Sequence, residues 1–182
     1  MVKVNPLSLN RGASKIWLCR KLLVFLEPHV ILLPEAVAKR RQSWQWEDLQ
    51  YCGIPLIRYT SNTASGLQTE MVLAQAHLDL PTTFAVDDNL TVFSLVNAGF
   101  GWSLTQPLAL LGARDFIASC KILQAPHPCP PRELLLARKK STPLSLMETV
   151  GSACHQCIKE DVLPLIRSTM PWTAEELFLN DL

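Results

Sequence analysis

Runs of apolar residues separated by short polar segments divide the chain into alternating strand and helix units. Residues 28–34, Pro28-His29-Val30-Ile31-Leu32-Leu33-Pro34, form a continuous β-branched and aliphatic run closed by proline. A run without polar alternation suits a strand buried on both faces, so a mostly parallel sheet covered by helices is expected. The first 21 residues hold Asn5, Pro6, Asn10 and Gly12; these turn formers predict an irregular lead-in.

From Ser43 the units follow one another. Residues 43–49 predict a capped helical turn and 55–59 a strand. Residues 67–78 predict a helix with Leu67, Met71, Ala74 and Leu78 on its apolar stripe, and 82–86 another strand. Asp87, Asp88 and Asn89 supply N-cap chemistry for a helix running to Ala98, and Gly99 suits the left-handed position beyond its end. Residues 101–105 predict a strand, and Pro107 opens a short helix. Two more strands, 116–123 and 132–137, flank a proline-rich turn. The last helix runs from Ser141-Thr142-Pro143 to about Val162, with Met147, Val150, Cys154, Ile158 and Val162 on one stripe, and Pro164 stopping or kinking it. Between residues 43 and 113 the expected core holds Leu56, Ile57, Met71, Phe84, Val92, Leu95, Val96 and Leu104. Strands alternating with helices specify an α/β fold.

Composition narrows the class. A chain of 182 residues with 48% hydrophobic content can bury a core as one domain or two small lobes. Its net charge of +1 provides no overall field toward nucleic acid or anionic membrane. The short basic clusters Lys39-Arg40-Arg41 and Arg138-Lys139-Lys140 read as solvated loop or strand ends. The longest apolar stretch, residues 22–34, is broken by Glu27, Pro28 and His29, too short and too polar to span a bilayer. Six cysteines without a secretory signal read as reduced thiols of a cytoplasmic protein.

Little in the chain suggests covalent chemistry. Cys154-His155-Gln156-Cys157 has the spacing of a redox centre or half a zinc site, but it lies inside a predicted helix, where no helix start lowers a thiol's pKa, so core packing is expected. Gly99-Phe100-Gly101 follows a helix and opens a strand, the reverse of a phosphate-binding glycine loop. His29, beside an apolar strand, reads as structural. No catalytic residue, metal or cofactor is expected. The most informative polar segment is residues 58–66, from Arg58 and Tyr59 through Thr60, Ser61, Asn62 and Thr63 to Gly66, between a strand's end and a helix's start. Ligands of open α/β sheets bind at such places, where free amides and hydroxyls meet, and a small carboxylate suits it; helix capping by Ser61 or Thr63 is the competing use.

The order of segments carries a resemblance. Val86-Asp87-Asp88-Asn89 followed by Leu95-Val96-Asn97-Ala98-Gly99-Phe100-Gly101-Trp102-Ser103-Leu104 resembles the stretch of LysR-type transcriptional regulators that ends in a valine-alanine-glycine turn and strand. Leu26-Glu27-Pro28-His29-Val30-Ile31-Leu32-Leu33-Pro34 is similar to an earlier strand of that family. Trp46-Glu47-Asp48-Leu49 with Pro55-Leu56-Ile57-Arg58-Tyr59, and Arg132-Glu133-Leu134-Leu135-Leu136-Ala137-Arg138-Lys139-Lys140, resemble two further elements. The resemblance covers residues 22–168. Trp102 stands where the family commonly has an aliphatic residue.

The resemblance implies an α/β effector domain similar to type 2 periplasmic binding proteins: two lobes joined by crossing strands near residues 32–34 and 118–121. Residues 43–113 would form the second lobe, and 22–42 with 114–182 an incomplete first lobe. It implies effector contacts from Thr60, Ser61, Asn62 and Thr63 and from Asp87, Asp88 and Asn89. No segment resembles the family's winged helix-turn-helix or the opening strand and helix of its first lobe, so an amino-terminally shortened sensor without direct DNA binding is expected. Its partner would be a small-molecule effector, a carboxylate among the candidates, and it could form a homo-oligomer. The alternatives are an enzyme or a free-standing solute-binding module on the same fold, because fold alone does not choose function.

Overall fold

The computed structural model describes residues 18–180 apart from 114, 116 and 140. Its first sheet centres on β1 (Leu18–Glu27), which lies antiparallel between β7 (Arg132–Lys139) and β8 (Phe178–Leu179). The register sets Glu27 opposite Arg132 and Phe25 opposite Leu179. The expected lead-in therefore ends earlier than position 21: residues 18–21 already belong to β1, held there by pairing with β7, which local turn formers could not reveal. Residues 1–17 lie outside the described residues.

The second sheet is built around β2 (Val30–Pro34), every residue of which is buried. Its neighbours are β5 (Ser103–Thr105) and β6 (Cys120–Gln124), both antiparallel to it. β3 (Ile57–Tyr59) runs parallel to β4 (Phe84–Val86). A parallel bridge between Leu56 and Trp102, with Ile57 N–H donating to Trp102 O at 2.8 Å, joins the two halves in the order β4-β3-β5-β2-β6. The predicted dominance of parallel pairing is thus corrected. Burial on both faces results from layers above and below a strand and is blind to its neighbours' direction; β2 and β6 run opposite ways, with Pro34 beside Cys120 and Glu35 N–H donating to Ser119 O at 2.9 Å.

Each face of β2 feeds a different apolar cluster. Val30 and Leu32 pack with β1, with α4 (Asn89–Asn97) and α5 (Pro107–Leu111), and with the carboxyl-terminal helices. Ile31 and Leu33 pack with α1 (Glu35–Ala38), α2 (Trp46–Gln50) and α3 (Ala64–Gln75). Trp102 is a fully buried member of this second cluster and fills core, not pocket.

The expected stripe on α3 is out of phase. Leu67 and Met71 are 54% and 53% exposed, while Gly66, Thr69, Val72 and Leu73 are buried. Gly66 sets this phase: a Cβ there would lie 2.0 Å from the Thr60 carbonyl oxygen, so only this face can approach the preceding loop. Met71 therefore leaves the predicted core, whereas Leu56, Ile57, Val92, Val96 and Leu104 are buried and Phe84 and Leu95 pack at its edge. Buried Arg58 anchors the helix by donating to Glu70 and to the Leu80 carbonyl.

The last helix also departs from expectation. α6 (Leu144–Cys157) passes through a π-helical turn, Ile158–Val162, into α7 (Leu163–Thr169). Pro164 lies in the first turn of α7, where its missing N–H is tolerated, and the widened turn before it carries the chain on. Met147 and Ile158 are buried on the predicted stripe, Val150 is exposed, Cys154 packs at the core's edge, and Cys157 is exposed, contrary to the core role expected for it.

Candidate functional site

Because β3, β4 and β5 run in one direction, their carboxyl ends share one edge of the sheet, and the antiparallel β2 begins at that edge. Thr60, Asp87, Gln106 and His29 follow or precede these strand ends directly. The edge has an exposed rim and a buried interior.

The rim contains all seven residues expected from sequence. Thr60 N–H donates to Val86 O at 3.0 Å, and the Thr60 hydroxyl donates to the Asp87 carboxylate, tying the loop after β3 to the loop after β4. Thr63 caps α3: its Oγ1 accepts from Gly66 N–H at 3.0 Å and donates to Thr60 O at 2.8 Å. The Ala64 and Ser65 amides at the helix start have no intrahelical acceptor. Asp88 caps α4, accepting from Thr91 N–H at 2.9 Å and from the Thr91 hydroxyl at 2.7 Å. The hydroxyl, then the amide, hold its carboxyl below the usual range. Ser61, Asn62 and Asn89 are exposed. Capping and edge placement thus coexist, since different residues carry them.

The interior is made of residues to which the sequence reading assigned no effector contact, His29 having been read as structural. Glu27 is fully buried; its Oε1 accepts from Arg132 Nε at 2.8 Å and from Arg132 Nη2, and its Oε2 accepts from Leu108 N–H at 2.8 Å. Burial pushes this carboxyl up, against the opposing pull of Arg132 and the Leu108 amide. His29 Nδ1 bonds Pro130 O at 2.9 Å, and burial lowers the ring's pKa to about 4 despite that bond. The Tyr59 and Thr105 hydroxyls meet at 3.3 Å, and burial pushes the phenol up to about 12. The available sequence signal was a charged residue at each of two predicted strand ends, Glu27 and Arg132, but nothing paired positions 105 apart.

Two concavities lie at the ends of the β2–β6 pair, the first at this edge beyond the carboxyl end of β6 and the second at the opposite edge. One of about 410 Å³ is lined by Trp44, Gln45, Gln124 and His127, among others. The other, about 370 Å³, lies where β2 ends and β6 begins and is lined by Glu35, Lys39, Asn97 and Ser119, among others. Among the described residues no helix is long and apolar enough to cross a membrane, and no group of three or more His, Cys, Asp or Glu could hold a metal.

The LysR substrate binding domain family matches residues 19–155. No curated protein matches the chain. Among solved structures, the effector binding domain of QuiR in complex with shikimate is 15% identical at a TM-score of 0.63, covering 81% of this chain and 66% of that one. The regulatory domain of CcmR from Synechocystis PCC6803 in complex with 2-PG is 16% identical at 0.64, covering 84% and 72%. A Corynebacterium glutamicum OxyR mutant is 16% identical at 0.65, covering 90% of this chain and 50% of that one. At these identities the likeness shows the fold, a two-lobed α/β architecture like that of periplasmic binding proteins. The chain spans 66% of the QuiR domain and half of the OxyR chain. The match of the family model through both sheets shows that the chain belongs to the LysR substrate-binding domain family.

Proposed function

We propose that this chain is the effector-sensing part of a transcriptional regulator and binds a small molecule in a cleft between two lobes, residues 43–113 and residues 22–42 with 114–182. The observation that carries the reading is the Thr60–Asp87 hydrogen bond, which brings two helix starts to one sheet edge. Thr60, Ser61, Asn62 and Thr63, together with Asp87, Asp88 and Asn89, form the wall that residues 43–113 contribute.

The chemistry of the rim defines the ligand further. The open amides of α3 suit a carboxylate, as helix starts favour anions. Asp87 repels a second anion and instead accepts a hydroxyl or ammonium proton. A hydroxy acid satisfies both, with its carboxylate at α3 and its donor at Asp87. Such a ligand acts by favouring the closed arrangement of lobes, which needs differential affinity and no covalent step. The net charge of +1 fits a domain that leaves DNA contact to another part of a regulator.

Calorimetric titration with small hydroxy acids tests this. The chain should bind at least one, and Thr60→Val should weaken binding about tenfold, the cost of about one hydrogen bond to a charged group. A chain indifferent to all of them, or a Thr60→Val variant of undiminished affinity, would sink the reading.

A further inference from the structure

The part of the chain that faces the rim supplies a cation. Arg132 opens β7, and Glu27 closes β1 opposite it. Two of the three guanidinium nitrogens, Nε and Nη2, donate to the same Glu27 oxygen, Oε1. The third, Nη1, has no partner among the described residues, yet it is not a buried atom: the side chain is 19% exposed, and Nη1 stays in contact with solvent. A guanidinium carries five N–H donors in a fixed plane, so one that gives Nε and Nη2 to a single oxygen keeps the Nη1 protons for a second acceptor.

Hydrogen bonds place this guanidinium at the same sheet edge as the rim. Glu27 Oε2 accepts at 2.8 Å from the N–H of Leu108, just beyond the end of β5. At that end the Thr105 hydroxyl meets the Tyr59 hydroxyl at 3.3 Å, and Tyr59 directly precedes Thr60. His29, which leads into β2, bonds the carbonyl of Pro130, close before Arg132 in the chain. After burial and after their own hydrogen bonds, His29 and Tyr59 both feel the Arg132 charge.

The edge thus holds two points that attract an anion, on opposite faces of the sheet. The open amides of α3 belong to the face where that helix packs with Ile31 and Leu33. Arg132 is held beside α5 and Tyr59, on the face of Val30 and Leu32. Successive strand residues point to opposite faces, so one carboxylate does not serve both points. Asp87 and Asp88, at the same edge, reject an anion and accept a proton donor.

We infer that Arg132 Nη1 anchors a second acid group of the effector from the wall opposite the rim, so that the sensor prefers hydroxylated diacids to hydroxy monoacids. The inference rests on the cleft reading above and adds the opposing wall to it. The rim takes one carboxylate at α3 and a hydroxyl at Asp87, and the far acid group meets Arg132. Glu27 holds the guanidinium plane in place, and a charge-assisted bond from a preset donor is among the stronger ones a protein makes. The second acid group is a carboxylate or a phosphate, and the test uses both.

Calorimetric titration of the whole chain compares acids that differ only in the second acid group: malate against lactate, tartrate against glycerate, and phosphoglycerate against glycerate. At least one diacid should bind about tenfold or more tightly than its partner, the worth of about one hydrogen bond between charged groups. Arg132→Lys keeps a cation for Glu27 but commits its only nitrogen there, and should bring that ratio toward one while the monoacid binds as before. Equal affinity within every pair, with Thr60→Val weakening both members, overturns the anchor and leaves the cleft reading standing. A folded Arg132→Lys chain that retains the full preference also overturns it. Should that variant not fold, the native chain decides: nitrogen NMR signals of the Arg132 side chain should move on adding the preferred diacid and not its monoacid partner, and unmoved signals overturn the anchor. Binding of no acid overturns both readings.

Discussion

The rim and the interior of the sheet edge handle polar groups in opposite ways. On the rim, Thr63 and Asp88 satisfy amides within three residues of themselves, and the charged groups stay in water. In the interior, Glu27 and His29 are removed from water and depend on partners brought from distant parts of the chain. The contrast separates two properties that share one edge. Folding stability should be most sensitive to the interior, where a lost partner strands a desolvated group. The rim should be nearly free to change without unfolding the protein, and so free to be shaped by a ligand.

The largest expected effect comes from stranding a charge. Arg132→Leu leaves the Glu27 carboxylate buried without its cation and should cost about 3–5 kcal/mol in urea denaturation. Replacing both residues together, Glu27→Leu with Arg132→Leu, should recover most of that loss. A single variant as stable as the native chain would show that the interior is wetter than described, and the contrast would collapse.

Acid should find the interior next, through His29. Its folded-state pKa, about 4, lies below the ordinary 6.5. The unfolded chain therefore takes up the proton first. The stability contributed by the neutral ring is fully present above pH 6.5, falls as pH drops toward 4, and stays lost below. The span corresponds to about 3 kcal/mol. Comparing urea midpoints at neutral pH and near pH 4 for the native chain and His29→Gln isolates this contribution. The variant should be less acid-sensitive, and an identical pH profile for both would remove His29 from the explanation.

The smallest effect belongs to the rim. Thr63→Ala removes the α3 cap and should cost about 1 kcal/mol, as for other N-caps. Thermal melts would measure it. A loss as large as that of Arg132→Leu would mean that the loop after β3 is part of the folding core and not a wall open to ligand.

By itself the sequence determined what depends on near neighbours. Asp88 at the start of α4 and Gly99 at φ +84° beyond its end follow from one side chain or one missing Cβ acting within a turn. The burial of β2 was legible for the same reason, since an unbroken aliphatic run cannot face water on either side. The seven rim residues were legible as two strand-to-helix junctions, although their meeting through Thr60 and Asp87 was not. Only the tertiary structure decided the direction of β2's neighbours, the phase of α3 and the Glu27–Arg132 pair. Strand direction depends on the path of the connections, and α3's phase on how closely Gly66 meets the Thr60 carbonyl. The pair depends on a register between strands 105 residues apart. Each is set by which surfaces meet across space, and a pattern read along the chain carries only the chemistry that acts along the chain.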